Sequence, residues 1–167
     1  MHMMIVPHLL LLAMMDPAKP VVDKTEYVLV DKPGYSFEVP KGWNVGEETP
    51  WGARDMTPKE GKGKLGAMTT NATGSTWDEL YRTSLFFIKR EDKSGTETEY
   101  RLGKTKQGYE SMSFEMVTKE GFKNRRYVIF QNSKGSALAL NVKIPSEKEE
   151  ATYKLYFKRM VDTAKIK

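Results

Sequence analysis

The 167 residues include no cysteine and only two histidines, which excludes disulfides, thiolate metal sites and cysteine nucleophiles and leaves little imidazole for general-base work. A hydrophobic share of 39% beside 29% charged residues is the balance of a globular chain with room for one domain. The formal net charge of +5 is carried by lysines interleaved with glutamates, the pattern of a solvated surface rather than of a nucleic-acid footprint.

Met1 to Met15 is almost wholly apolar. The run from Ile5 to Met15 has the length of a signal-peptide core and is too short to cross a bilayer as a helix. No Lys or Arg precedes the run, Pro7 and His8 interrupt it, and cleavage after Ala18 would place Asp16 where a small side chain is wanted. A hydrophobic N-terminal arm packed on the domain therefore stands beside the signal peptide as an alternative. Asp16-Pro17-Ala18-Lys19-Pro20 reads as a linker, because two close prolines keep the chain extended. The expected organisation is residues 1–22 as leader or arm plus linker, and residues 23–167 as a single domain.

The domain opens with a strand over Thr25 to Val30. Lys32-Pro33-Gly34 offers proline and glycine in the order of a type II turn, and Tyr35 to Val39 follows as the second arm of a hairpin. Tyr35, Phe37 and Val39 share one face of that arm, and Ser36 and Glu38 the other. Pro40-Lys41-Gly42 turns the chain, and Trp43 and Val45 begin a short strand. Trp51 to Met56 and Leu65 to Thr70 read as strands around the polar loop Pro58 to Lys64. Trp51 is expected in the core.

A helix follows, with Thr76 and Glu79 as a capping box and Ser75 as a second candidate cap. Trp77, Leu80, Tyr81, Ser84, Leu85 and Ile88 line one stripe. It gives way to charge and glycine between Lys89 and Gly95. A meander comes next: Thr98 to Leu102, then Tyr109 to Val117 with Met112, Phe114 and Met116 on one face and Ser111, Ser113 and Glu115 on the other, then Arg125 to Gln131. Leu138, Leu140, Val142 and Ile144 form the inner face of the last strand, and the short turns make the neighbours antiparallel. The closing helix has Ser146 and Glu149 as a capping box, acids in its first turn, and Lys158, Arg159, Lys165 and Lys167 toward its end. Its stripe is Tyr153, Phe157, Met160, Val161 and Ala164. Two one-sided helices and a run of antiparallel strands define an α+β class, with the helices on opposite faces of the sheet or both on one.

The strand Tyr35-Ser36-Phe37-Glu38-Val39-Pro40-Lys41-Gly42-Trp43, the mid-chain helix, the meander and the closing helix together resemble the PsbP-like family over roughly Tyr27 to Ile166. The family includes the extrinsic PsbP subunit of photosystem II, a Ran-binding relative and many bacterial domains. The resemblance implies an antiparallel sheet between flanking helices, an α/β/α sandwich. It also implies a non-catalytic binding or assembly module, with chaperone-like shielding of apolar segments in a secretion system as one variant. No functional residue of the family maps onto a motif here.

The residues themselves offer little catalysis. His2 and His8 both precede the domain, so no metal or cofactor site is expected. Glu47-Glu48, Asp78-Glu79, Glu91-Asp92 and Glu149-Glu150 are adjacent carboxylates of the kind a glycosidase would pair across a cleft, but loops and helix starts account for them. Gly61-Lys62-Gly63-Lys64 lacks the spacing of a phosphate loop and precedes a strand, so it reads as a flexible basic loop. Asn71-Ala72-Thr73 is a glycosylation sequon. Lys119, Lys123, Arg125 and Arg126, beside Phe122, Tyr127 and Phe130, are the candidate partner-binding residues. As a cluster they would suit an anionic ligand or nucleic acid, but an ordinary charged hairpin explains them better, since Glu115 and Glu120 flank it. The expected function is a non-enzymatic domain, exported to the periplasm or beyond, that engages a protein or a membrane-associated complex; a cytoplasmic location is the alternative.

Overall fold

The computed structural model describes residues 23–91, 93–118, 121–131 and 134–167. The leader or arm expected over residues 1–22 lies outside the described residues, as does Lys119.

The hairpin forms as expected, with β1 (Tyr27–Lys32) antiparallel to β2 (Tyr35–Pro40) and Lys32 opposite Tyr35. The turn is not type II. That type needs a positive φ at Gly34, and the positive-φ glycines are others, such as Gly42, just after β2, and Gly121. Then come β3 (Asn44–Val45), β4 (Ala53–Thr57), β5 (Lys64–Asn71), α1 (Trp77–Glu91), β6 (Thr96–Glu97), β7 (Arg101–Lys104), β8 (Glu110–Val117), β9 (Lys123–Gln131), β10 (Ser136–Lys143), α2 (Glu150–Thr163) and β11 (Lys165–Ile166).

Eight strands make one antiparallel sheet in the order β3-β4-β5-β10-β9-β8-β6, with β7 also paired to β8; β1, β2 and β11 make a second, three-stranded sheet. The large sheet is apolar on both faces, and alternation divides its side chains between two cores. One core joins Leu138, Leu140 and Val142 of β10 and Phe130 of β9 to Phe37 and Val39 of β2 and Tyr153, Phe157 and Met160 of α2. The other joins Met112, Phe114 and Met116 of β8 and Tyr127 and Ile129 of β9 to Leu80 and Ile88 of α1. The two helices therefore cover opposite faces, and the fold is an α+β, α/β/α sandwich whose second helix shares its side with the small sheet.

Local chemistry explains the helix ends. At the start of α1 the Thr76 N–H donates to Glu79 at 2.8 Å, and the Glu79 N–H returns to the Thr76 hydroxyl at 3.3 Å, a complete capping box. Before α2 the box is incomplete. Residues Glu147–Glu149 form a 3₁₀ turn, and the Ser146 hydroxyl donates to the Glu149 carboxylate at 2.7 Å instead of capping a backbone N–H. The helix also ends earlier than its basic residues suggest. It stops at Thr163, and Lys165 and Ile166 pair with Ser36 and Tyr35 of β2, because strand pairing satisfies backbone groups that a frayed helix end would leave open.

Two further expectations change. The strand expected at Thr98 to Leu102 is two short strands: Glu97 faces Met116 but Arg101 faces Ser113, so Glu99 and Tyr100 supply one extra residue and a bulge. Trp51 is not in the core; it is 70% exposed on the β3–β4 turn. That turn is held by its backbone and by Arg54, which reaches the Gly46 carbonyl, Glu48 at 3.2 Å and the Tyr35 hydroxyl at 3.2 Å, so the indole is not needed to fix it. Trp77 does join the α1 core as a half-buried residue.

Candidate functional site

The site follows from a change of polarity across the sheet. On the face that α2 covers, β10 offers leucine and valine and β9 offers Phe130 and Val128, but β8 offers Ser111, Ser113 and Glu115. Apolar contact with α2 therefore ends at β9. Beyond it a groove of about 780 Å³ opens between the helix and the β7–β8–β9 surface. Ser113, Val128 and Arg101 form its floor, and Lys154, Phe157, Lys158 and Val161 of α2 form its wall.

Ion pairs line the groove. Glu115 is ion-paired with Lys123 at 2.9 Å and with Arg126 at 3.3 Å; Arg126 also reaches Glu150 at 3.3 Å, and Glu150 meets Lys154 at 2.5 Å. Lys154, ahead of the more distant charges of Arg126 and Lys123, holds the Glu150 carboxyl below its ordinary value. Lys158 pairs with Asp162 one turn on. Arg101 is exposed and has no carboxylate partner among the described residues.

The candidate residues are thus only partly brought together. Lys123 and Arg126 meet on Glu115 at the groove. Arg125 alternates to the other face, opposite Met116, and is buried. Sequence reasoning missed Arg101, Lys154 and Lys158, although the i, i+4 spacing of the two lysines already placed them on one side of a helix.

Most of the paired carboxylates have local partners. Glu48 pairs with Arg54, Asp78 with Arg82 at 2.9 Å, Glu79 serves the α1 cap, and Glu149 and Glu150 are engaged as above. The Glu91 side chain and Asp92 lie outside the described residues. Among the described residues no three His, Cys, Asp or Glu side chains gather as metal ligands, and no helix is long and apolar enough to cross a membrane. The Gly61–Lys64 loop is structural: Gly63 is buried under Tyr153 of α2. In the sequon, Asn71 is exposed and its side-chain oxygen accepts from the Thr73 N–H at 2.9 Å.

Fold and groove define an antiparallel α+β sandwich with an open, charged cleft beside its last helix. The cyanobacterial PsbP protein CyanoP of Synechocystis sp. PCC 6803 is similar, with a TM-score of 0.60 at 13% identity over 92% of this chain and 99% of that one. The Ran-binding protein Mog1p of Saccharomyces cerevisiae gives 0.55 at 12% identity over 85% and 96%. The chain has the PsbP-like fold that its sequence resembles. No family model matches it, and no curated protein matches it by sequence.

Proposed function

We propose that this protein is a non-catalytic binding or assembly domain, exported, that engages a protein partner through the groove beside α2. The observation that carries the reading is the groove itself: an open cleft in which apolar Phe157, Val128 and Val161 lie among charged side chains, the mixture found where proteins meet. The similarity to a protein named for binding Ran supports a binding role in outline only. Lys123 and Arg126 contribute as part of the groove, tied to Glu115, and not as a separate anionic platform. Export rests on the apolar run Ile5 to Met15, and the N-terminal residue of the mature protein from its host tests it.

The test of binding is capture of a partner from the native host by the full chain, compared with a variant carrying Lys154→Glu and Lys158→Glu. Both residues are on the groove wall and outside the core, and the circular dichroism spectrum and urea midpoint of the variant check that it keeps the fold. Loss of the captured protein supports the groove; undiminished capture would remove it from consideration.

A further inference from the structure

We infer that the outer edge of β7 receives an extended, acidic segment of the partner as an added strand, with acidic side chains over the groove and apolar ones beside Leu102. This deepens the protein-partner function proposed above and depends on it.

The backbone pattern comes first. β7 lies at the margin of the large sheet, paired to β8, and among the described residues no strand covers its other side. The Thr105 N–H donates to the Tyr109 carbonyl at 2.8 Å, which makes Thr105 and Tyr109 a hydrogen-bonded pair. In an antiparallel ladder such pairs alternate with non-bonded ones. Gly103 and Arg101 then point their backbone groups at β8, and Leu102 and Lys104 point theirs outward. Two N–H and two C=O groups stand ready for a further strand. The bulge at Glu99 and Tyr100 ends the regular edge, so the stretch that can pair is short.

The side chains specify the guest. All four residues of β7 are exposed, and Leu102 keeps 61% of its surface in water. Leu102 lies opposite Met112, on the α1 face, whereas Arg101 lies opposite Ser113, on the groove face. An added strand alternates in the same way. Its residues on one face meet Leu102, and those on the other meet Arg101 and look across the groove to Lys154 and Lys158. On the groove face β7 presents Arg101 and no anion, Lys104 sharing the face of Leu102, and a carboxylate on the groove face answers Arg101. Gly103 leaves the groove face open, since a Cβ there would come no closer than 3.7 Å to the Ser111 hydroxyl. A second copy of this chain answers it worse: pairing two β7 edges about Leu102 sets Arg101 diagonal to its own copy, where like charges oppose the contact.

The probe is a short, blocked synthetic peptide alternating valine and aspartate, titrated into the isotope-labelled full chain by NMR. The expected result is shifts and exchange protection at the Leu102 and Lys104 amides. A valine–lysine peptide should show no such effect. Leu102→Pro deletes an outward N–H while leaving the bonds to β8 in place, and should weaken binding about tenfold or more. Leu102→Ser, which keeps the N–H, should retain the backbone pairing and lose only part of the affinity. Shifts elsewhere, equal binding by Leu102→Pro, equal binding of the lysine peptide, or self-association through this edge would each overturn the inference. If Leu102→Pro still captures the native partner while the Lys154→Glu, Lys158→Glu variant does not, the edge falls and the groove stands.

Discussion

Tyr153 sits directly over Gly63: a Cβ built at that glycine would fall 2.2 Å from the tyrosine ring. The φ of Gly63 is not positive, so the position demands glycine for space and not for backbone freedom. The contact closes the loop before β5 onto α2. There Tyr153 also meets Trp43 and Tyr156, with ring centroids 5.9 and 5.7 Å away, so the loop, the end of the β2 hairpin and the last helix lock together.

Gly63→Ala should therefore destabilise the fold by about 1–3 kcal/mol, the usual cost of overpacking. Urea melts would show it as a lower midpoint with an unchanged slope. Adding Tyr153→Leu to Gly63→Ala should recover part of the loss, which a mere helix or strand propensity effect would not.

Phe37 is fully buried and stacked on Tyr35 with centroids 5.3 Å apart. Phe37→Ala should cost about 3–5 kcal/mol, as large core truncations do. A negligible change in thermal or urea stability would show that β2 does not carry the core as described.

Trp51→Ala should change stability by no more than about 0.5 kcal/mol, since the indole is solvent-exposed and the turn is held by Arg54 and the backbone. The two substitutions compared in one denaturation experiment separate an aromatic residue of the core from one of the surface.

Acid should remove specific support. The Glu150 carboxyl lies below its ordinary value of 4.5, first through the hydrogen bond from Lys154, and Glu97 is lowered first by the hydrogen bond from Lys89. A lowered folded-state value means that the stabilisation is complete above the ordinary value and fades as pH falls through the folded one. Glu150→Gln should be less stable than the wild type at neutral pH, and the two should converge in acid. Urea midpoints followed from pH 7 down to about pH 3 would test it; a gap that stays constant would assign the loss to packing instead.

The sequence by itself determined the elements whose cause is local. The period of two in Tyr35 to Val39 and in Met112 to Met116, the 3.6-residue stripe and capping box of α1, and the stripe of α2 each arise from neighbours along the chain. All were legible, as was the α+β class. Which face each helix covers, the bulge that divides β6 from β7, and the pairing of Lys165 and Ile166 with β2 depend on register and on partners far away in sequence. Trp51 shows the limit well: hydrophobicity favours burial, but only the path of the β3–β4 turn decided that its indole faces water. The groove has the same origin. Ser113 and Glu115 were readable as part of the polar face of one strand, yet they line the groove only because α2 stops short of β8, and the basic residues around them meet there only through tertiary packing.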